Sequence, residues 1–220
     1  MSVRAVRSEL DEGGQRVLAL GGFVGILVFW TTVLVLGSLD PDYSHVEHAM
    51  SLVGSVGAPY SPFGRAAFVL EGLLLAAFSV GLYCHLRPGP AGTAGVAMIA
   101  IHGIGRIGEG VFAWNLLQAD SLTNTLHLVF GVPAVLSMLL APLLLAWAFR
   151  TDDRWGWYYP YTAVTAVAFV GVFLVLGPLS TPIGVDVPLG LGQRVGFGIW
   201  YLWAVGLAVG LYRRATPGNE

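Results

Sequence analysis

Lysine is absent from the chain: all 11 basic residues are arginine, and charged residues of both signs make up only 11% of the 220 positions. A soluble domain carries about a quarter of its residues charged, so an ordinary water-soluble protein is excluded. Net charge is −2, and no basic face gathers in the sequence, which removes nucleic acid from the list of partners. There is one cysteine, Cys84, so no internal disulfide can form, and it reads as a small apolar filler. Repeats and low-complexity segments are missing too. What fills the space instead is hydrophobic, at 55% of residues with a mean hydropathy of +0.72.

The chain therefore reads as one all-α membrane domain. Residues 1–16 are polar and contain Arg4, Arg7 and Arg16. The apolar run that follows, Val17 to Gly37, is too long for the core of a signal peptide and reads as a retained first span. Further runs lie near 66–86, 93–114, 124–149, 158–178 and 193–212, which predicts six transmembrane helices over 17–212 and a short tail at 213–220. Arginines are retained on the cytoplasmic side. Arg87, Arg150, Arg154, Arg213 and Arg214 then share the side of the N-terminus, so both termini are expected in the cytoplasm of a multi-pass cell-membrane protein. Trp155, Trp157, Tyr158 and Tyr159 fit an interfacial aromatic belt on that side. The first outer loop, Ser38 to Arg65, is long and too apolar for disorder, and it predicts an interfacial helix near 43–56 that folds back over the bundle. The outer segment from Leu179 to Gly192 is expected to cover the rest of the mouth.

One stretch departs from this apolar background. His102, Arg106 and Glu109 stand at i, i+4 and i+7 on one stripe of the third span. Ionisable groups inside a bilayer mark sites with partners to be found. Arg106 and Glu109 fall about 6 and 10 Å outward of His102 at 1.5 Å per residue. Candidates at matching depth are Glu71 in span two, Asp120, Asn124 and His127 where span four begins, and Gln193 and Arg194 at the start of span six. These groups predict a polar pocket in the outer half of the bundle. Arg106, Arg194, Glu71, Gln193 and Asn124 would hold a lipid-like or small-molecule ligand, and Glu109, His127 and His102 would perform any chemistry. Membrane lipids are the expected partners.

Other readings compete. Arg106 with Glu109, and Arg194 with Glu71, would serve equally as ion pairs that lock helices. His45 and His48, at i and i+3, with Asp120, His127 or Glu109, would suit zinc, whose bound water would be the nucleophile. Ser51 beside His48 lacks a nucleophile elbow. A transporter would explain Pro133 and Pro142 inside span four and four glycines in span three as broken helices, although no polar path leads to the inner side. A haem between histidines lacks a second histidine at the depth of His102.

Several segments together resemble domain-of-unknown-function family 998, a family of prokaryotic multi-pass membrane proteins. Met50-Ser51-Leu52-Val53-Gly54 followed by Ala58-Pro59 is similar to its I-S-E-L-G signature, and Gly110-Val111-Phe112 to its G-I-F-P-x-D element. Leu126-His127 is similar to its L-H, Ala141-Pro142-Leu143 with Arg150 to Trp155 to its inner-side stretch, and Gly192-Gln193-Arg194 to its Q-R. Leu52 stands where the signature has an acid, Ala113 where it has proline and Asn115 where it has aspartate, so any role of those acids would be either lost here or moved to Glu47 and Asp120. The resemblance implies a six-span membrane protein and assigns it no activity.

Overall fold

A computed structural model describes residues 12–86, 89–176 and 187–215. They form six long helices: α1 (Glu12–Leu39), α2 (Ser61–Leu86), α3 (Pro90–Val111), α4 (Leu122–Phe149), α5 (Tyr158–Leu176) and α6 (Leu189–Arg214), with a short 3₁₀ turn at Met50–Gly54. No strand occurs among the described residues. The expected cover from Leu179 to Gly192 falls largely outside them, as do Arg4, Arg7, Arg87 and the end of the tail.

Sequence punctuation explains where the helices begin. Pro62, Pro90 and Pro160 sit in the first turns of α2, α3 and α5, where a missing N–H costs nothing, and Pro188 caps α6. Ser121 caps α4 by accepting the Asn124 N–H at 3.4 Å. Pro133 and Pro142 lie inside α4 without ending it, and the glycines of α3 leave that helix continuous, so neither is the broken helix a carrier would need.

Consecutive helices pack side by side, and α6 closes the ring against α1. Contacts run in antiparallel register: Glu71 meets Arg106 across α2 and α3, Tyr161 meets Leu202 across α5 and α6, and Arg16 at the start of α1 meets Ala215 after α6. Backbone meets backbone between α2 and α3, where a Cβ on Gly72 would stand 2.4 Å from the carbonyl oxygen of Gly103, and one on Gly103 would stand 2.7 Å from that of Gly72. Small residues give membrane helices this proximity, which stands in for the hydrophobic drive that lipid cannot supply. Phe29, Leu75, Phe78, Met138, Trp200 and Trp203 fill the middle, all fully buried. The outer surface is also apolar, with Leu20, Leu27, Leu128, Val132, Val164 and Val167 exposed, a distribution that water would penalise and lipid would not.

Among the described residues, α1, α2, α4, α5 and α6 are long and apolar enough to cross a bilayer. Helix α3 is long enough at 22 residues, about 33 Å, but His102, Arg106, Glu109 and its glycines hold it below the apolarity of the other five. The sixth apolar span expected from sequence is thus a more polar helix flanked by α2 and α4.

At one end the connections are woven together. The Val56 N–H donates to the Trp114 carbonyl at 2.7 Å and the Leu116 N–H to the Val56 carbonyl at 3.2 Å, which joins the α1–α2 and α3–α4 loops. Gly57 in that loop adopts φ +102°, a conformation glycine reaches without steric cost. The Leu191 N–H reaches the Val46 carbonyl at 2.8 Å, and Gly190 lies flat against the His48 and Val46 carbonyls. The expected helix over 43–56 is replaced by turns up to Ala49 and then the 3₁₀ turn. Side chains there capture the backbone donors that a helix would use: Asp40 Oδ1 accepts from Asp42 N, Ser44 Oγ from Glu47 N, and His48 Nδ1 from Ser44 N.

At the other end, Trp155 is buried against Phe149, Tyr158 and His85. Arg154 pairs with Asp152 at 2.9 Å and donates to the Leu86 carbonyl at 2.8 Å, while Arg214 donates to the Arg154 carbonyl.

Candidate functional site

Four helices bring their polar groups to one place. Arg106 of α3 is 2% exposed. Its Nε donates to Glu71 Oε2 of α2 at 2.9 Å and its Nη1 to Glu109 Oε2, one turn on, at 2.7 Å. Glu71 is fully buried, and its other oxygen accepts the hydroxyl of Tyr201 from α6. Phe68 and Phe29 lie over the guanidinium at 3.9 and 4.3 Å from their ring centroids, with Phe197 at 5.5 Å. A flat, weakly hydrated cation tolerates such an apolar box far better than an ammonium would.

The chain of contacts continues to α4. Glu109 Oε1 stands 3.6 Å from His127 Nε2, and His127 Nδ1 lies 3.0 Å from the Phe112 carbonyl. A carbonyl can only accept, so Nδ1 carries the hydrogen and Nε2 is the atom turned to Glu109. Gly131 makes room for this contact, since a Cβ there would fall 2.9 Å from Glu109 Oε1. Two carboxylates thus face one guanidinium.

The pairing differs from the two separate ion pairs expected from sequence. Arg106 takes both acids, and Arg194 takes neither. Arg194 instead holds the first loop onto α6: it donates to the Tyr43 hydroxyl at 2.8 Å, to His45 Nδ1 at 3.0 Å, and to the His48 and Gly190 carbonyls at 3.2 and 2.9 Å. Burial, reinforced by the Arg194 cation, holds the His45 imidazole below the usual histidine range. Burial raises the Tyr43 phenol above its usual range, with Arg194 opposing.

Other expected site residues have structural duties. Asn124 organises the α3–α4 loop by accepting from Asn115 N at 2.6 Å and donating to the Ala119 carbonyl at 2.8 Å. Gln193 accepts the Met50 N–H at 2.9 Å and so anchors the 3₁₀ turn. His102 is fully buried, bonds the Ala134 carbonyl through Nδ1 at 3.1 Å, and lies 4.6 Å from the Trp200 ring. It shares a stripe with Arg106 but no hydrogen bond.

The residues expected to hold zinc lie apart. Among the described residues no group of three or more His, Cys, Asp or Glu side chains comes together as a metal site. His45 and His48 are not on a helix, each packs edge-on against the Tyr43 ring, and Asp120 lines a separate surface hollow with Asn124 and Thr125.

A cavity of about 370 Å³ opens beside the cluster. Val135, Phe169, Val172, Phe173 and Phe197 form much of its wall, and Arg106 and Glu109 contribute its charged end. Tyr201, Phe29 and Phe68 are the participants that sequence reasoning missed. A phenol in the middle of the Trp200–Trp203 stretch was the available signal, because a buried tyrosine hydroxyl seeks a partner.

Fold and cluster together define a multi-pass helical membrane protein with a buried charge network. The chain belongs to the family described as Protein of unknown function (DUF998), whose model matches residues 23–210. Neither a curated protein nor a solved structure matches the chain.

Proposed function

We propose that this protein is a cell-membrane protein that binds a lipid-like amphiphile in the cavity beside Arg106 and Glu109. The observation that carries the reading is an apolar chamber of small-molecule size that ends on a buried, charged pair. In this reading α3 is a sixth span. Arg16, Arg150, Arg154, Arg213 and Arg214 mark the cytoplasmic end, and the cavity lies in the outer half. Any processing of the bound molecule falls to Glu109 and His127, a carboxylate–imidazole pair of which Glu109 lines the chamber, acting as general base and its proton partner.

The test is ligand retention. A Cβ on Gly196 would make only ordinary contacts, 3.8 Å to Phe169 and 3.9 Å to Val172, so Gly196→Leu places its side chain in the cavity without forcing the helices apart. Native mass spectrometry should find an amphiphile on the wild type and not on this variant. Identical spectra from the two would remove the proposal.

A second reading, in which the charges only lock helices, draws on the complete burial of Glu71 beside Arg106 and Tyr201. Glu109→Gln separates the two. Altered ligand retention at unchanged thermal stability favours binding, and the reverse favours a lock.

A further inference from the structure

The charged end of the cavity has an unfilled hydrogen-bonding pattern. Arg106 uses Nε and Nη1 on its two acids, but its Nη2 has no hydrogen-bond partner in a residue that is 2% exposed. Burying such a donor unpaired is costly. Glu109 commits Oε2 to Arg106, while Oε1 faces His127 at 3.6 Å, beyond the length of a good hydrogen bond. Both residues line the same cavity, where they are the only charged side chains among the described residues. The residues at its charged end thus carry one unpaired donor and one carboxylate oxygen without a close partner.

Charge then selects among headgroups. An anion would add a third negative charge where two carboxylates already face one guanidinium. A cation would satisfy Glu109 and leave Nη2 without an acceptor. A hydroxyl answers both, because its oxygen accepts from Nη2 while its hydrogen goes to Glu109. The volume of about 370 Å³ sits near the lower end of the roughly 300–1,000 Å³ of small-molecule sites, which suits one chain better than a two-chain phospholipid. Resting on the cavity reading above, we infer that the site takes a neutral single-chain amphiphile ending in a hydroxyl, a long-chain alcohol.

The experiment uses the full chain in liposomes with three photoreactive probes of equal chain length, ending in hydroxyl, sulfonate or methyl. Labelling is mapped to the Phe169–Phe173 and Gly192–Phe197 segments. The alcohol should label them at about tenfold lower concentration than the sulfonate, Gly196→Leu should abolish the signal, and Glu109→Gln should narrow the gap between the two heads. Equal labelling by all three probes, or stronger labelling by the sulfonate, overturns the headgroup assignment and leaves the cavity reading standing. Labelling no higher than in Gly196→Leu for every probe overturns both. The comparison of heads is made on the wild type, so it holds even where Glu109→Gln folds poorly.

Discussion

Tyr201 donates its hydroxyl hydrogen to Glu71, a residue 130 positions earlier in the chain and on the opposite side of the sequence's polar stripe. The bond turns the α3 cluster into a three-helix network, because Glu71 passes the contact on to Arg106. Loss of either partner should therefore be felt at both.

Glu71→Gln is expected to cost about 3–5 kcal/mol, the range for breaking a buried ion pair from one side. Tyr201→Phe should cost about 1–3 kcal/mol, since it leaves a buried acceptor short of a donor. Unfolding in detergent should give a double variant less destabilised than the sum, because the two changes delete one shared bond. Strict additivity would show that the contact carries no energy.

Gly72→Ala should destabilise by about 1–3 kcal/mol, because its Cβ meets the Gly103 carbonyl and backbone cannot swing aside as a side chain can. Gly171→Ala has nothing within 4 Å and should be neutral or slightly stabilising. Thermal melts of the pair check this, and equal melting temperatures would contradict the packing described.

Acid should loosen the first loop. His45 is held below the usual histidine range, so its neutral form is favoured in the folded protein. The stability it lends is present above the unfolded histidine value near pH 6.5 and is lost as pH falls through the lower folded value. A protonated ring also cannot accept from Arg194. Hydrogen-exchange protection at residues 43–49, taken relative to the intrinsic rate at each pH, should fall between pH 7.5 and 5, and His45→Gln should flatten that fall. A loop insensitive to pH in the wild type would refute the assignment.

Orientation is checked with single cysteines. Cys84 is buried, so a thiol placed at Arg150 should react with an impermeant reagent only from the cytoplasmic side, and one at Leu117 only from outside. The opposite pattern would invert the proposed topology.

Five of the helices were legible as long apolar runs, which a bilayer requires to be helical, and α3 as a run of similar length interrupted by its ionisable residues. The stripe on α3 was legible for the same reason, as ionisable groups stand out against leucine and valine. Pairing was not. Arg194 and Arg106 look alike in sequence, and only the path of residues 43–49 decides that Arg194 meets Tyr43 and His45 while Glu71 falls to Arg106. The loop misled because the Asp40, Ser44 and His48 side chains take up nearby backbone N–H groups, and periodicity alone does not register that competition. Tyr201 was hidden among Trp200 and Trp203, where an aromatic reads as filler.

Gly72 and Gly103 set how near α2 and α3 can lie. A Cβ on either glycine would fall within 2.7 Å of the other's carbonyl oxygen, so a side chain at either position would push α2 and α3 apart. Elsewhere the fit is looser: a Cβ at Gly171 or Gly198 would meet nothing within 4 Å, and one at Gly196 only ordinary contacts.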